Sequence, residues 1–90
     1  MRIAFQVQGA VQGVGYRRFA AREAQRLDLA GWVRNEPDGT VSGEAEGPEP
    51  DLAAFRARLG QGPAFAVVDR LDWIGLGVGS SLPHPFDIRR

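Results

Sequence analysis

Cysteine is absent from the 90-residue chain. That excludes a disulfide framework, a thiolate nucleophile and every Cys-containing zinc or iron–sulfur site. Lysine is absent too, since all 11 basic residues are Arg. Schiff-base chemistry and the phosphate-binding Lys of a P-loop are therefore excluded. Histidine occurs once, as His84, which rules out a His-cluster metal site. Net charge is missing as well, because 11 acidic side chains cancel the 11 basic ones. A balanced chain has no global field with which to grip nucleic acid or an anionic membrane, so any anion site is local. No run approaches the roughly 20 apolar residues of a membrane span. Met1-Arg2-Ile3-Ala4-Phe5 turns polar too soon for a signal-peptide core. The expectation is a cytoplasmic protein whose chemistry runs on Arg, carboxylates, hydroxyls, amides and backbone N–H groups.

What is present makes one small domain over residues 1–90, with 43% apolar and 24% charged residues. Ile3, Phe5 and Val7 alternate with Arg2, Ala4, Gln6 and Gln8, the period of a half-buried strand that ends at Gly9. Gly9, Gly13 and Gly15 crowd the next stretch, which reads as a loop with unusual backbone angles. From Tyr16 the period changes to that of a helix of about three turns. Tyr16, Phe19, Ala20, Ala24 and Leu27 lie on its apolar face, Arg18, Arg22, Gln25 and Arg26 on the other. Asp28 suits its end, because Asp tolerates the left-handed conformation. Strands are predicted at residues 30–36 and 40–47, joined by the turn Pro37-Asp38-Gly39. A second helix spans 51–59, burying Leu52, Phe55 and Leu59 and ending at Gly60 or Gly62. A fourth strand covers 67–76, with Leu71 and Trp73 on one face. Residues 75–85 read as a loop, and Phe86-Asp87-Ile88 as a short terminal strand. The order βαββαβ predicts a ferredoxin-like α+β sandwich, an antiparallel sheet with two helices on one face.

The sharpest local feature is the loop from Gly9 to Gly15 feeding a helix that opens with Arg17. It offers backbone N–H donors, the positive end of a helix and a guanidinium, a combination suited to phosphate. A hydrogen bond from Arg17 to a charged group contributes about 1.5–3 kcal/mol. The glycines alone are equally compatible with a tight connection beside a solvated Arg. Asn35, the only Asn, either initiates the turn or holds a water or ligand by donating one hydrogen bond and accepting another.

Gly9-Ala10-Val11-Gln12-Gly13-Val14-Gly15-Tyr16-Arg17 resembles the first signature of the acylphosphatases, a glycine-x-Val-Gln-Gly-Val-x-aromatic-Arg run. Gly31-Trp32-Val33-Arg34-Asn35, followed by Gly39-Thr40-Val41 and Gly47, resembles the second at its expected spacing. The resemblance covers essentially the whole chain. It implies a ferredoxin-like fold and hydrolysis of the carboxyl–phosphate bond of acyl phosphates. By it, Arg17 and the backbone N–H groups of Gln12, Gly13, Val14, Gly15, Tyr16 and Arg17 bind phosphate, and Asn35 positions the attacking water. It implies no metal, no cofactor and no covalent intermediate. The partner is then a small acyl phosphate, not nucleic acid or membrane, and the chain a monomer. Two departures stand out: Gly15 occupies an open position of the pattern, and Asp28 stands where relatives have Gly.

The other conspicuous residues take plainer roles. Trp32 and Trp73 read as packing residues, Arg18 and Arg34 as exposed charges that also suit steering of an anion. Thr40 reads as the start of a strand, His84 as an exposed loop residue, and Glu44 and Glu46 as a solvated sheet face. An RNA-recognition domain shares the βαββαβ order, but it needs aromatics on its central strands; residues 40–46 have none. A ligand-binding regulatory domain lacks a reason for the Arg17 and Asn35 pair. A module of a larger hydrogenase-maturation protein is less compatible with so short a chain than a free-standing enzyme.

Overall fold

The computed structural model describes residues 1–90. Its elements are β1 (Arg2–Ala10), α1 (Tyr16–Arg26), β2 (Ala30–Asn35), β3 (Val41–Glu46), α2 (Glu49–Gln61), β4 (Val67–Leu76) and β5 (Asp87–Arg89). They form a five-stranded sheet in the order β4-β1-β3-β2-β5. The neighbouring pairs among β1 to β4 are antiparallel, whereas β5 runs parallel to β2. The expected βαββαβ frame is present. The wholly antiparallel sheet is corrected, because the last three-residue strand reaches β2 from the opposite edge and enters in its direction.

Alternation decides which sheet face is covered. Ile3, Phe5 and Val7 of β1, Val33 of β2, and Val41 and Ala45 of β3 point inward and are buried with Leu52, Phe55 and Leu59 of α2. Phe55 is the centre of this layer: its ring meets Phe5 edge-on at 5.7 Å and Phe86 at 5.8 Å. Such pairs add roughly 0.5–1.5 kcal/mol each beyond the area they bury. Trp73 closes the outer side of the cluster at 6.5 Å from Phe55, half-buried as expected.

Several boundaries shift for physical reasons. β1 continues to Ala10 because β4 supplies partners for Gly9 and Ala10 across a bulge at Gln8/Gly9. α2 starts at Glu49, two residues early, since Pro50 fits the first helical turn where its missing N–H costs nothing. Thr40 is not in a strand; it belongs to the turn before β3. On α1, Phe19 and Leu27 are only partly buried, while Ala21 and Glu23 are buried. Glu23 earns that place by bridging the helices, accepting hydrogen bonds from Arg26 and from Arg58 of α2, each at 3.0 Å. Burial raises the Glu23 carboxyl, but the two guanidinium groups outweigh it and hold the group below its ordinary value.

The end of α1 follows the expectation for Asp28, which adopts φ 57°. Its N–H donates to Gln25 O and the Leu29 N–H to Ala24 O, the paired bonds of a Schellman motif, with Leu29 and Ala24 both buried.

Candidate active site

The loop between β1 and α1 is pinned at both ends and open between them. Val11 is buried at the exit of β1, and Tyr16 is buried at the first position of α1. The Tyr16 hydroxyl donates to Leu59 O at 2.6 Å. In a continuing helix that carbonyl would accept from residue 63, which is Pro63 and has no N–H. Burial pushes the Tyr16 phenol well above its usual range. Gly13 and Gly15 take φ 75° and 79°, left-handed values that cost a residue with a Cβ, although an added Cβ would meet nothing there. The requirement at these two positions is therefore conformational.

Gly15 caps α1, and its carbonyl accepts the Phe19 N–H at 3.0 Å. No side chain caps this end and no acidic residue lies in the first turn. The N–H groups of the first turn have no carbonyl ahead of them in the helix. They and the positive pole of the helix point toward the loop.

Arg17 is half-buried, and its Nη1 donates to Arg89 O of β5 at 2.9 Å. That contact depends on residues 76–85, to which the sequence assigned no role, and on Phe86, expected in the terminal strand. The Gly31 N–H donates to Pro83 O at 2.8 Å, Gln25 Nε2 to Phe86 O at 2.9 Å, and Arg2 to Ser80 O. Phe86 is buried in the core. The segment thus straps β5 against β2 and brings a carbonyl to Arg17. His84 is exposed, as expected, and lies 2.7 Å from Asp28.

Asn35 ends β2. Pleating puts Val33 and Asn35 on the helix-covered side and Arg34 on the open side, where Arg34 pairs with Glu36 at 2.8 Å. Arg34 also lies 4.9 Å from the Trp32 ring centroid, with Arg89 at 5.0 Å, so Trp32 packs against guanidinium groups and not in the core. The turn after Asn35 is tied to the loop by Gln12, whose Nε2 donates to Glu36 O at 2.8 Å and Thr40 O at 2.9 Å. Thr40 donates to Asp38 Oδ1 through its N–H and its hydroxyl, and accepts from Gln6 Nε2. These bonds hold the Asp38 carboxyl below its ordinary value, and bonds from Ser42 and Arg34 do the same for Glu36. Both are carboxylates at neutral pH, so neither is poised as a general acid.

These elements border a cleft of about 470 Å³. Of the expected residues, Gly13, Gly15, Tyr16, Arg17 and Asn35 line it. Gln12 and Val14 do not, the Gln12 side chain being spent on the turn and the Val14 side chain packed against the core; the expectation for both concerns their backbone N–H groups, not these side chains. Val11, Arg18, Ile88 and Arg90 also line the cleft. The neighbour of Arg17 was legible as a steering charge; Ile88 and Arg90 had no signal, because only strand order brings them here. A cleft of about 630 Å³ between α2 and β4, floored by Leu52, Leu71 and Trp73, holds none of the expected residues. Glu44 and Glu46 face the open side of the sheet, and Glu46 lies 3.5 Å from Arg2.

The family model described as Acylphosphatase matches residues 3–81. An acylphosphatase of Nitratidesulfovibrio vulgaris is 48% identical over 92 residues, covering 98% of this chain and 89% of its own. The chain belongs to the acylphosphatase family. It therefore belongs to a family of enzymes, and the agreement extends to the fold. The crystal structure of acylphosphatase from Bacillus subtilis superposes with a TM-score of 0.91 at 37% identity, covering 99% of this chain and 98% of that one. The structure of T. kodakarensis HypF matches with a TM-score of 0.86 at 32% identity, but this chain spans 12% of it.

Proposed function

We propose that the chain hydrolyses acyl phosphates to a carboxylate and inorganic phosphate, with Arg17 and the loop N–H groups holding the phosphoryl group and Asn35 holding the attacking water. The observation that supports this most is the convergence of Gly13, Gly15, Arg17 and Asn35 on one cleft. The N–H groups of residues 12–17 and the Arg17 guanidinium surround the three phosphoryl oxygens. There they stabilise charge as the bond to the leaving group stretches. The Asn35 amide orients a water in line with that bond. The water oxygen bonds to phosphorus, the P–O bond to the acyl group breaks, and its electron pair leaves with the carboxylate. The water's proton passes to a phosphoryl oxygen. A carboxylate is a good leaving group, so positioning and electrostatics suffice without a strong side-chain base. The reading carries a small acyl phosphate as sole partner and a cytoplasmic monomer, in line with zero net charge and with no helix long and apolar enough to cross a membrane.

The test is phosphate release from benzoyl phosphate by chelator-treated protein, for the parent, Arg17→Ala and Asn35→Ala. The parent accelerates release, and each variant loses on the order of 10²–10³-fold, the scale of one lost transition-state donor. Inhibition by inorganic phosphate weakens sharply in Arg17→Ala and much less in Asn35→Ala. A parent no faster than buffer refutes the activity; near-parental rates in either variant refute the residue assignment.

A further inference from the structure

The charge around the cleft exceeds what one phosphoryl group uses. Arg17, Arg18 and Arg90 all line it, and no Asp or Glu side chain does. The ion pairs of the molecule engage Arg2, Arg26, Arg34, Arg58 and Arg70, none of which lines this cleft. The nearby acids lie elsewhere: Glu23 is committed to Arg26 and Arg58, Glu36 and Asp38 to Arg34, Ser42 and Thr40, and Asp87 pairs in register with Trp32, on the opposite sheet face from Ile88. Arg18 and Arg90 are therefore unneutralised, and both are exposed. Arg17 is the half-buried one, held by Arg89 O beside the loop. The phosphoryl dianion is already served by Arg17, the loop N–H groups and the pole of α1, which leaves two guanidinium groups without a ligand charge. A cleft lined by one sign of charge concentrates its field on whatever enters. Arg90 also lies outside residues 3–81, the part of the chain that the family model matches.

We propose that Arg18 and Arg90 form a second anion subsite that selects acyl phosphates whose acyl group carries a further anionic group at its far end. The inference rests on the acyl phosphate reading above and adds the substrate's other end to it. The phosphoryl group sits deep against Gly13, Gly15 and Arg17, the carbonyl points outward, and the distal anion meets the exposed guanidinium groups.

Two substrates isolate the charge: 4-carboxybenzoyl phosphate and 4-carbamoylbenzoyl phosphate. They share shape, and in neither does the para substituent reach the acyl carbon to cyclise. The parent should favour the carboxylate by about tenfold in kcat/KM, chiefly through KM, with the preference shrinking at high salt because exposed charges are screened. In Arg18→Gln/Arg90→Gln the ratio between the two substrates should fall toward one, with each single variant between. A parent ratio near one, with both substrates hydrolysed, overturns the subsite and leaves the hydrolase reading intact. A tenfold ratio that survives in the double variant, or is unmoved by salt, also overturns it. Hydrolysis of neither substrate refutes the acyl phosphate reading itself, and the subsite with it.

Discussion

Replacing Gln12 by Ala isolates the one side chain that joins the two halves of the site. Its Nε2 donates to Glu36 O at 2.8 Å and Thr40 O at 2.9 Å, spanning from the loop that carries Gly13 and Gly15 to the turn that follows Asn35. Neutral hydrogen bonds contribute about 0.5–1.5 kcal/mol each. Both here are exposed, and both carbonyls keep a backbone partner, Gly39 N for Glu36 O and Glu36 N for Thr40 O. Water also reaches them, so the loss stays near the low end, about 1 kcal/mol for the pair. For a chain of this size that lowers Tm by roughly 4–8 °C. The effect on rate is larger. Once the loop and the turn drift independently, a sub-ångström to 1 Å mismatch between bound phosphate and water costs on the order of 10- to 100-fold, and it appears in kcat. Gln8→Ala is the control, since Gln8 is an amide of β1, the strand that leads into the loop, and has no side-chain hydrogen bond to the protein. Thermal unfolding by circular dichroism and phosphate release from benzoyl phosphate measure the two effects. Gln12→Ala matching Gln8→Ala in both would refute the coupling argument.

Other expectations follow from contacts outside the loop. Tyr16→Phe leaves Leu59 O without its buried donor, which costs about 1–3 kcal/mol and is read as a lower urea midpoint at neutral pH. The same residue gives the fold an alkaline limit. The folded-state phenol is raised above its ordinary 10.0, so unfolding releases its proton only at high pH. The stabilisation is complete below about pH 10 and declines as pH rises further. Tyr16→Phe should lack that share of the decline, and an identical alkaline slope in parent and variant contradicts it. Phe86→Ala removes a ring that is 2% exposed and packed on Phe55, at a cost of about 3–5 kcal/mol. It also loosens the strap that carries Arg89 O to Arg17. Where the variant still folds, activity should fall through weaker binding of phosphate, measured as a raised inhibition constant. Unchanged phosphate inhibition in folded Phe86→Ala would show that the strap does not position Arg17.

Much of the fold was legible because its signals are local. Alternation in β1, helical spacing from Tyr16 and the Pro37-Asp38-Gly39 turn each depend on a few adjacent residues, and each element formed close to its expected place. Even Asp28 announced its left-handed angle. The shifted boundaries, and the burial of Glu23, for which the sequence held no expectation, share another cause. Gly9 joined β1 because of a partner strand nearly 60 residues away, Glu23 was buried because Arg58 comes to meet it, and Thr40 left the strand because Asp38 and Gln6 bind it in the turn. Asp38 is the one local partner among these; Arg58, Gln6 and the partner strand lie outside any window of neighbouring residues.

The same division runs through the site. The sequence by itself determined that the chain must work without thiol, ammonium or clustered imidazole. It also determined that Gly13, Gly15, Arg17 and Asn35 occur in two motifs suited to one small anion. Those are properties of composition and short-range spacing. Only the tertiary structure decided that β5 runs parallel to β2, that Arg89 O holds Arg17 across 72 residues of sequence, and that Arg18 and Arg90 share one cleft. The physical reason is that such contacts are set by strand order and core packing, where burying Phe86 and completing the backbone pairing of β2 choose the path of the last residues.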